Sequence, residues 1–194
     1  MFVLIENDSI TKTLSTSRGI TIGENQYPRA IYNLWSTAER EAIGIYEVVA
    51  DNSNFKDQEF YINTNQSFGF ADGVVTASYG SATARALADV TNKDDSITPG
   101  LKTQKKKNIK REAGGLLTPT DWYVIKATDV ESYSVPSAIT TYRANVRTKS
   151  NDMEVLIDAC NTVDELATLY KYVNTGTEEN PVMERPLGEF PEEV

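Results

Sequence analysis

Two adjacent carboxylate pairs, Asp94-Asp95 and Glu178-Glu179, a lysine run at Lys105, Lys106 and Lys107, and one thiol, Cys160, are the groups in this chain that could do chemistry. General acid–base work asks for carboxylates whose pKa values an apolar cleft pushes apart. Both pairs sit in polar stretches, "NKDDS" and "TEEN", where nothing desolvates them, so they read as solvated charges. The chain has no histidine. That removes the usual general base, imidazole metal ligation and the serine–histidine pairing. A lone cysteine excludes an internal disulfide and a cysteine-built zinc site, and Cys160, in an apolar helical stripe, reads as a small core residue. Gly69, Gly73 and Gly80 lack the GK[ST] and the strand-to-helix turn of a phosphate loop. The expectation is a protein that is not an enzyme, with no catalytic, cofactor-binding or metal-binding residues and no cofactor.

The lysine run invites a nucleic-acid reading, since six basic residues and no acid fall between Leu101 and Arg111. No aromatic residues interleave with them, and 19 basic against 28 acidic residues leave the chain at a formal -9. A phosphate-binding face needs the opposite sign. The run is better read as the exposed face of a helix. Acid gathers in residues 174–194, where six glutamates meet only Arg185. No segment reaches the roughly 20 apolar residues that span a bilayer. "MFVLIENDSI" lacks a basic lead-in, so neither membrane insertion nor a signal peptide is expected, and the protein is expected to be soluble and made in the cytoplasm.

The elements that must carry these residues change character along the chain. "FVLI" at 2–5 predicts a short buried strand, Ile20 and Ile22 alternate, and "IGIYEVVA" predicts another strand. Ser36 with Glu39 forms a capping box that opens a brief helix before Gly44. Asp72-Gly73, between alternating runs, predicts a hairpin. Residues 1–91 therefore read as a β-rich amino-terminal docking domain, and "NKDDSITPG" at 92–100 as a linker. From there the period becomes 3.6. A helix is predicted over 101–117, weakened at its end by Gly114-Gly115. A second follows Pro136 with a stripe of Ile139, Tyr142, Val146, Met153, Leu156 and Ile157, and a third opens at the Thr162 capping box. The fold class is α+β: the β-rich domain, a helical region over 101–173, and a flexible acidic tail over 174–194 with Leu187 and Phe190 as its only sizeable apolar anchors.

One stretch is too ordered for a linker and too poor in reactive groups for an active site: "NIKREAGGLLTPTDWYVIK", residues 108–126. Leu116 and Leu117 need cover, and Trp122 brings a large apolar body with one N–H. Thr120 or Asp121 can turn the backbone where the first helix ends. Arg143 and Arg147 stand one turn apart, and Asp121 is the natural partner for one of them. The stretch is thus expected to form a helix–turn–helix corner in which Tyr123, Ile125 and Tyr142 pack on a buried Trp122.

The residues "KREAGGLLTPTDW" followed by "YRANVR" resemble a module of tailed bacteriophages, found in tail-fibre-associated proteins and in tail assembly chaperones. The match runs over roughly residues 107–150. "YPRAIYNLWSTAEREAIGIYEV" is similar to the opening of such proteins, through Tyr27-Pro28, Trp35, Glu39-Arg40 and Gly44-Ile45. The resemblance implies a structural component of the virion tail, a short tail fibre or a fibre/baseplate adaptor, with a non-virion assembly chaperone as the alternative. The implied partners are other tail or baseplate proteins and further copies of the chain, without nucleic acid. Its interaction residues are expected to be Asp121, Trp122, Tyr142, Arg143, Arg147, Leu156 and Phe190. The apolar stripe of the second helix is expected to be covered by identical helices in a homo-oligomer.

Overall fold

The computed structural model describes residues 1–193, an α+β chain that divides into two compact units, Met1–Thr83 and the residues from Ala84 onward. The first unit is built on a five-stranded sheet in the order β2-β1-β5-β8-β7. Its strands are β1 (Phe2–Glu6), β2 (Ser9–Leu14), β5 (Ile45–Asp51), β7 (Gln66–Ala71) and β8 (Val74–Tyr79). A small ladder, β3 (Ile20–Ile22) with β4 (Asn25–Tyr27), two short helices, α1 (Ile31–Leu34) and α2 (Thr37–Glu41), and the short strand β6 (Tyr61–Ile62) complete it. The continuous apolar run of β1 has a direct cause: both faces of the strand are covered. Phe2 and Leu4 join Leu14, Ile20, Ile31, Tyr32 and Ile45 on one side, while Val3 and Ile5 meet Val75 on the other. A strand buried on two faces cannot alternate with polar residues.

The hairpin read at Asp72-Gly73 joins β7 to β8, with φ of 49° and 74° at its two centres. The Ser36 box is formed on both sides: the Glu39 carboxylate accepts from the Ser36 amide at 2.7 Å, and the Glu39 amide donates to the Ser36 hydroxyl at 3.3 Å. The parallel pairing of β5 with β8 has no local signal in the sequence, because the connection between them contains β6 and the whole of β7.

The second unit carries four helices: α3 (Leu101–Leu117), α4 (Asp121–Asp129), α5 (Ser137–Ala159) and α6 (Val163–Tyr170). The stretch read as a linker belongs to this unit as the cap of α3. Val90–Thr91 pairs with Ile97–Thr98 in a small hairpin, and the Asp89 carboxylate accepts from the Gly100 amide at 2.8 Å. The next amides, of Leu101 and Lys102, donate to the carbonyls of Ala86 and Leu87. Orphan donors at a helix start need such partners, and here the preceding chain folds back to supply them. Gly100 is required at the crossing, since a Cβ there would lie 2.2 Å from the Ala88 carbonyl oxygen.

Helices α3 and α5 pack antiparallel, tied on the outside by Lys106 to Asp158 at 2.7 Å and Lys110 to Glu154 at 3.1 Å. Lys105 corrects the exposed-face reading. It is 4 % exposed, with its ammonium 4.0 Å from the centre of the Tyr170 ring. Its stem fills the seam between helices while the charge rests on an aromatic face. Thr162 caps α6 by accepting from the Glu165 amide, and the Glu165 carboxylate accepts from Asn161 rather than from Thr162 itself.

Residues 174–193 are not a free tail. Val173–Asn174 pairs with Met183–Glu184, and beyond this hairpin Leu187 is 1 % exposed while Phe190 packs on Ala113, Tyr142 and Val146. Two apolar anchors suffice to seat a short segment that could not fold alone. The α5 stripe is likewise covered from within: Ile139, Tyr142, Val146, Met153 and Ile157 are buried, and Leu156 alone of the six is 38 % exposed. The uncovered stripe that called for identical helices does not exist in this fold. No helix among the described residues is long and apolar enough to cross a membrane.

Candidate functional site

Helix α3 runs through Gly114-Gly115 to Leu117, and Thr118–Thr120, a single tight turn containing Pro119, swings the chain into α4. The turn read from the sequence ends α3, but it opens a helix, α4, that the sequence reading did not include, and Arg143 of α5 holds this corner. This guanidinium is 8 % exposed. It reaches the Asp121 carboxylate at 2.8 Å, donates to the Leu117 carbonyl at 3.0 Å, and donates to the Thr120 hydroxyl. The Thr120 hydroxyl in turn donates to the same Leu117 carbonyl at 2.7 Å. One planar fork thereby satisfies the end of α3, the turn and the first residue of α4 together, which a lysine could not do. Leu116, Leu117 and Phe190 close over the buried Ala113, Tyr142 and Val146 beneath it. Burial, reinforced by Glu193, raises the Tyr142 phenol above its ordinary range.

Trp122 is the residue that departs from expectation. It is 50 % exposed, beside an Asp121 that Arg143 pins down. Tyr142 packs under the corner instead of on the indole, and Ile125 is 61 % exposed. The reason is geometric. "WYVI" places four apolar residues in succession, and successive positions on a helix point around the axis, so no single face can bury them. That run was the available signal for an exposed apolar helix, and Val124 belongs to the site although spacing arguments passed over it. Helix α4 buries none of its nine residues. Trp122 lies against Tyr123, with ring centres 3.8 Å apart, and Lys126 sits between the Trp122 and Tyr133 rings at 5.9 and 4.4 Å. These contacts stiffen the aromatic surface without covering it.

The remaining expected interaction residues divide. Arg147 is exposed and makes a 3.4 Å contact to the Arg143 carbonyl, so it takes no part in the corner. Leu156 lies more than about three turns along α5 from Arg143 and is not brought to the site, whereas Phe190 is brought beneath it. Cys160 is buried, and burial raises its thiol above the ordinary range, as expected of a core cysteine. Among the described residues no three or more carboxylate or thiol side chains gather as a metal site. No known protein family, curated protein or solved structure matches the chain.

Proposed function

We propose that the chain is a structural component of a tailed-phage tail, a short fibre or an adaptor between fibre and baseplate, and that it grips another tail protein through α4. The observation that carries the binding surface is the division of labour at the corner: Asp121 is fixed by a buried Arg143 while its neighbour Trp122 stays half exposed. A nine-residue helix has little stability of its own. A helix held at its first turn, with the apolar run Trp122–Ile125 largely uncovered, gains stability when a second protein covers that run. A rigid indole beside Ile125 and Val124 supplies the large, low-entropy contact area that interface anchors use. The tail assignment is supported by the two blocks at 27–48 and 107–150 that resemble tail-associated proteins.

Mass spectrometry of purified particles is the test. The expected result is this chain in the particle, at a copy number that is a whole multiple of the tail symmetry. Its absence from particles, together with recovery from infected cells in complex with free fibre protein, would replace this reading by the assembly-chaperone one.

A further inference from the structure

The last turn of α3 is weaker than its packing requires. Gly114 and Gly115 stand inside the helix, where glycine lowers the helical equilibrium by about two- to fivefold per residue relative to alanine. Space does not demand them, because both are exposed and a Cβ on either would meet no neighbouring part of the chain within 4 Å. Backbone shape does not demand them either, since both are helical and neither has a positive φ. The two glycines separate the buried Ala113 from Leu116-Leu117, where the chain turns toward α4. The helix is softest at the point from which α4 hangs.

Two features from outside α3 hold this soft turn. One is Arg143, through the Leu117 carbonyl at 3.0 Å and Asp121 at 2.8 Å. The other is the segment 185–193, "RPLGEFPEE". Its Phe190 packs on Ala113, Tyr142 and Val146, the same three side chains over which Leu116 and Leu117 close. Leu187 fastens the segment a second time: it is 1 % exposed, and its amide donates to the Leu169 carbonyl at 3.0 Å. Arg185 pairs with Glu189 at 2.7 Å inside the segment itself, so the hold on α3 and α5 is apolar. Behind it every residue from 171 to 184 is exposed, and this connection pairs with itself through Val173–Asn174 and Met183–Glu184. The segment can therefore leave its seat and return to it within one chain while the helices stay in place.

We propose that Gly114-Gly115 and residues 185–193 are a hinge and a latch that regulate how α4 is presented. With Phe190 seated, the last turn of α3 is closed and α4 is fixed at its start. With Phe190 unseated, the turn opens at the two glycines and α4 loosens from α5. The consequence for binding rests on the reading of α4 as the partner surface, whereas the coupling of latch to helix does not. Coupling of this kind is reciprocal, so a partner that fixes α4 also tightens the latch.

Amide hydrogen exchange on the full chain, with no partner added, tests it. The Leu187 amide reports the latch, the amides of 125–130 report α4, and Met153 of the buried α5 face reports the helices as a whole. Phe190→Ala is expected to speed exchange by about tenfold or more at Leu187 and at 125–130, with Met153 still protected. Gly114→Ala together with Gly115→Ala should uncouple the two. In that background Phe190→Ala still frees Leu187 but speeds 125–130 by about threefold or less. Phe190→Leu, a milder change, gives the same ordering in smaller steps and serves where Phe190→Ala exposes Met153 as well. The proposal is overturned by a freed Leu187 with 125–130 unchanged, by a Leu187 that stays protected without Phe190, or by equal acceleration of α4 with and without the glycines. Such a failure leaves the partner reading standing, since incorporation into particles tests that separately.

Discussion

The two sequence blocks at 27–48 and 107–150 are used by the fold in different ways. In the block at 27–48 both aromatic residues that carry the pattern, and Glu39, Arg40, Gly44 and Ile45 with them, are consumed by architecture, and the large hydrophobic residue left most exposed is aliphatic, Leu34. The Tyr27 and Trp35 rings meet edge-on at 5.8 Å, Arg40 is 8 % exposed, and Gly44 holds a φ of 78°. Arg40 donates to the Trp35 carbonyl, lies 5.1 Å over the Phe2 ring and approaches Glu47 at 3.8 Å. Glu39 closes the helix cap, and Ile45 is fully buried. In the block at 107–150, Leu117, Thr120, Asp121, Tyr142 and Arg143 are consumed in the same manner, but Trp122 is not. A pattern that folding fully explains says only which fold is present. A pattern with a large aromatic residue left over marks the surface where the proposed partner would sit.

The contrast can be broken most forcefully at Gly44. A Cβ there would stand 2.6 Å from the Ile5 carbonyl oxygen, next to the bond that the Ile5 amide donates to the Gly44 carbonyl, and the left-handed backbone adds strain. Gly44→Ala is expected to destabilise the first unit by about 3 kcal/mol, read as a lower midpoint in a chemical melt. An unchanged midpoint would show that this block is not built as tightly as described.

Arg143→Ala is expected to cost about 2 kcal/mol, because it leaves the Leu117 carbonyl and the Asp121 carboxylate without their shared donor. Loss of far-ultraviolet helix signal should accompany it, since α4 is held mainly at this point. Arg143→Lys should recover little of the loss, because an ammonium cannot reach three acceptors in a plane.

A smaller effect is expected from pH at the first block. The Ser36 hydroxyl and then the Ser36 amide hold the Glu39 carboxyl below its ordinary range. A carboxylate whose folded-state pKa is lowered contributes stability that is complete above the unfolded value and is lost as pH falls through the folded one. Stability of the wild type should therefore decline faster in acid than that of Glu39→Gln. Parallel acid limbs for the two proteins would remove the cap from the account.

How much of this was legible beforehand follows from how local each cause is. The Ser36 box, the Asp72-Gly73 hairpin, the starts of α3, α5 and α6, and an ion pair of Asp121 with one of Arg143 and Arg147 rest on residues within a turn, or on one complementary charge, and the sequence carries them plainly, though only the fold selects Arg143. The parallel β5–β8 pairing, the folding back of 84–100 onto α3 and the seating of Leu187 and Phe190 depend on surfaces that exist only once distant parts have met. Trp122 was misread for a related reason. A tryptophan near a leucine pair is usually buried, and only the number of α4 positions that α5 can cover decides otherwise.

The central claim, that Trp122 is surplus to folding and is kept for a partner, is tested most directly by incorporation of Trp122→Ala. The substitution removes a half-exposed side chain, so the melt midpoint should stay within about 0.5 kcal/mol of wild type. With wild-type and variant chains produced together, mass spectrometry of the purified particles should then find the variant depleted at least tenfold. Equal incorporation of the two chains, or a melt lowered by several kcal/mol, would contradict it.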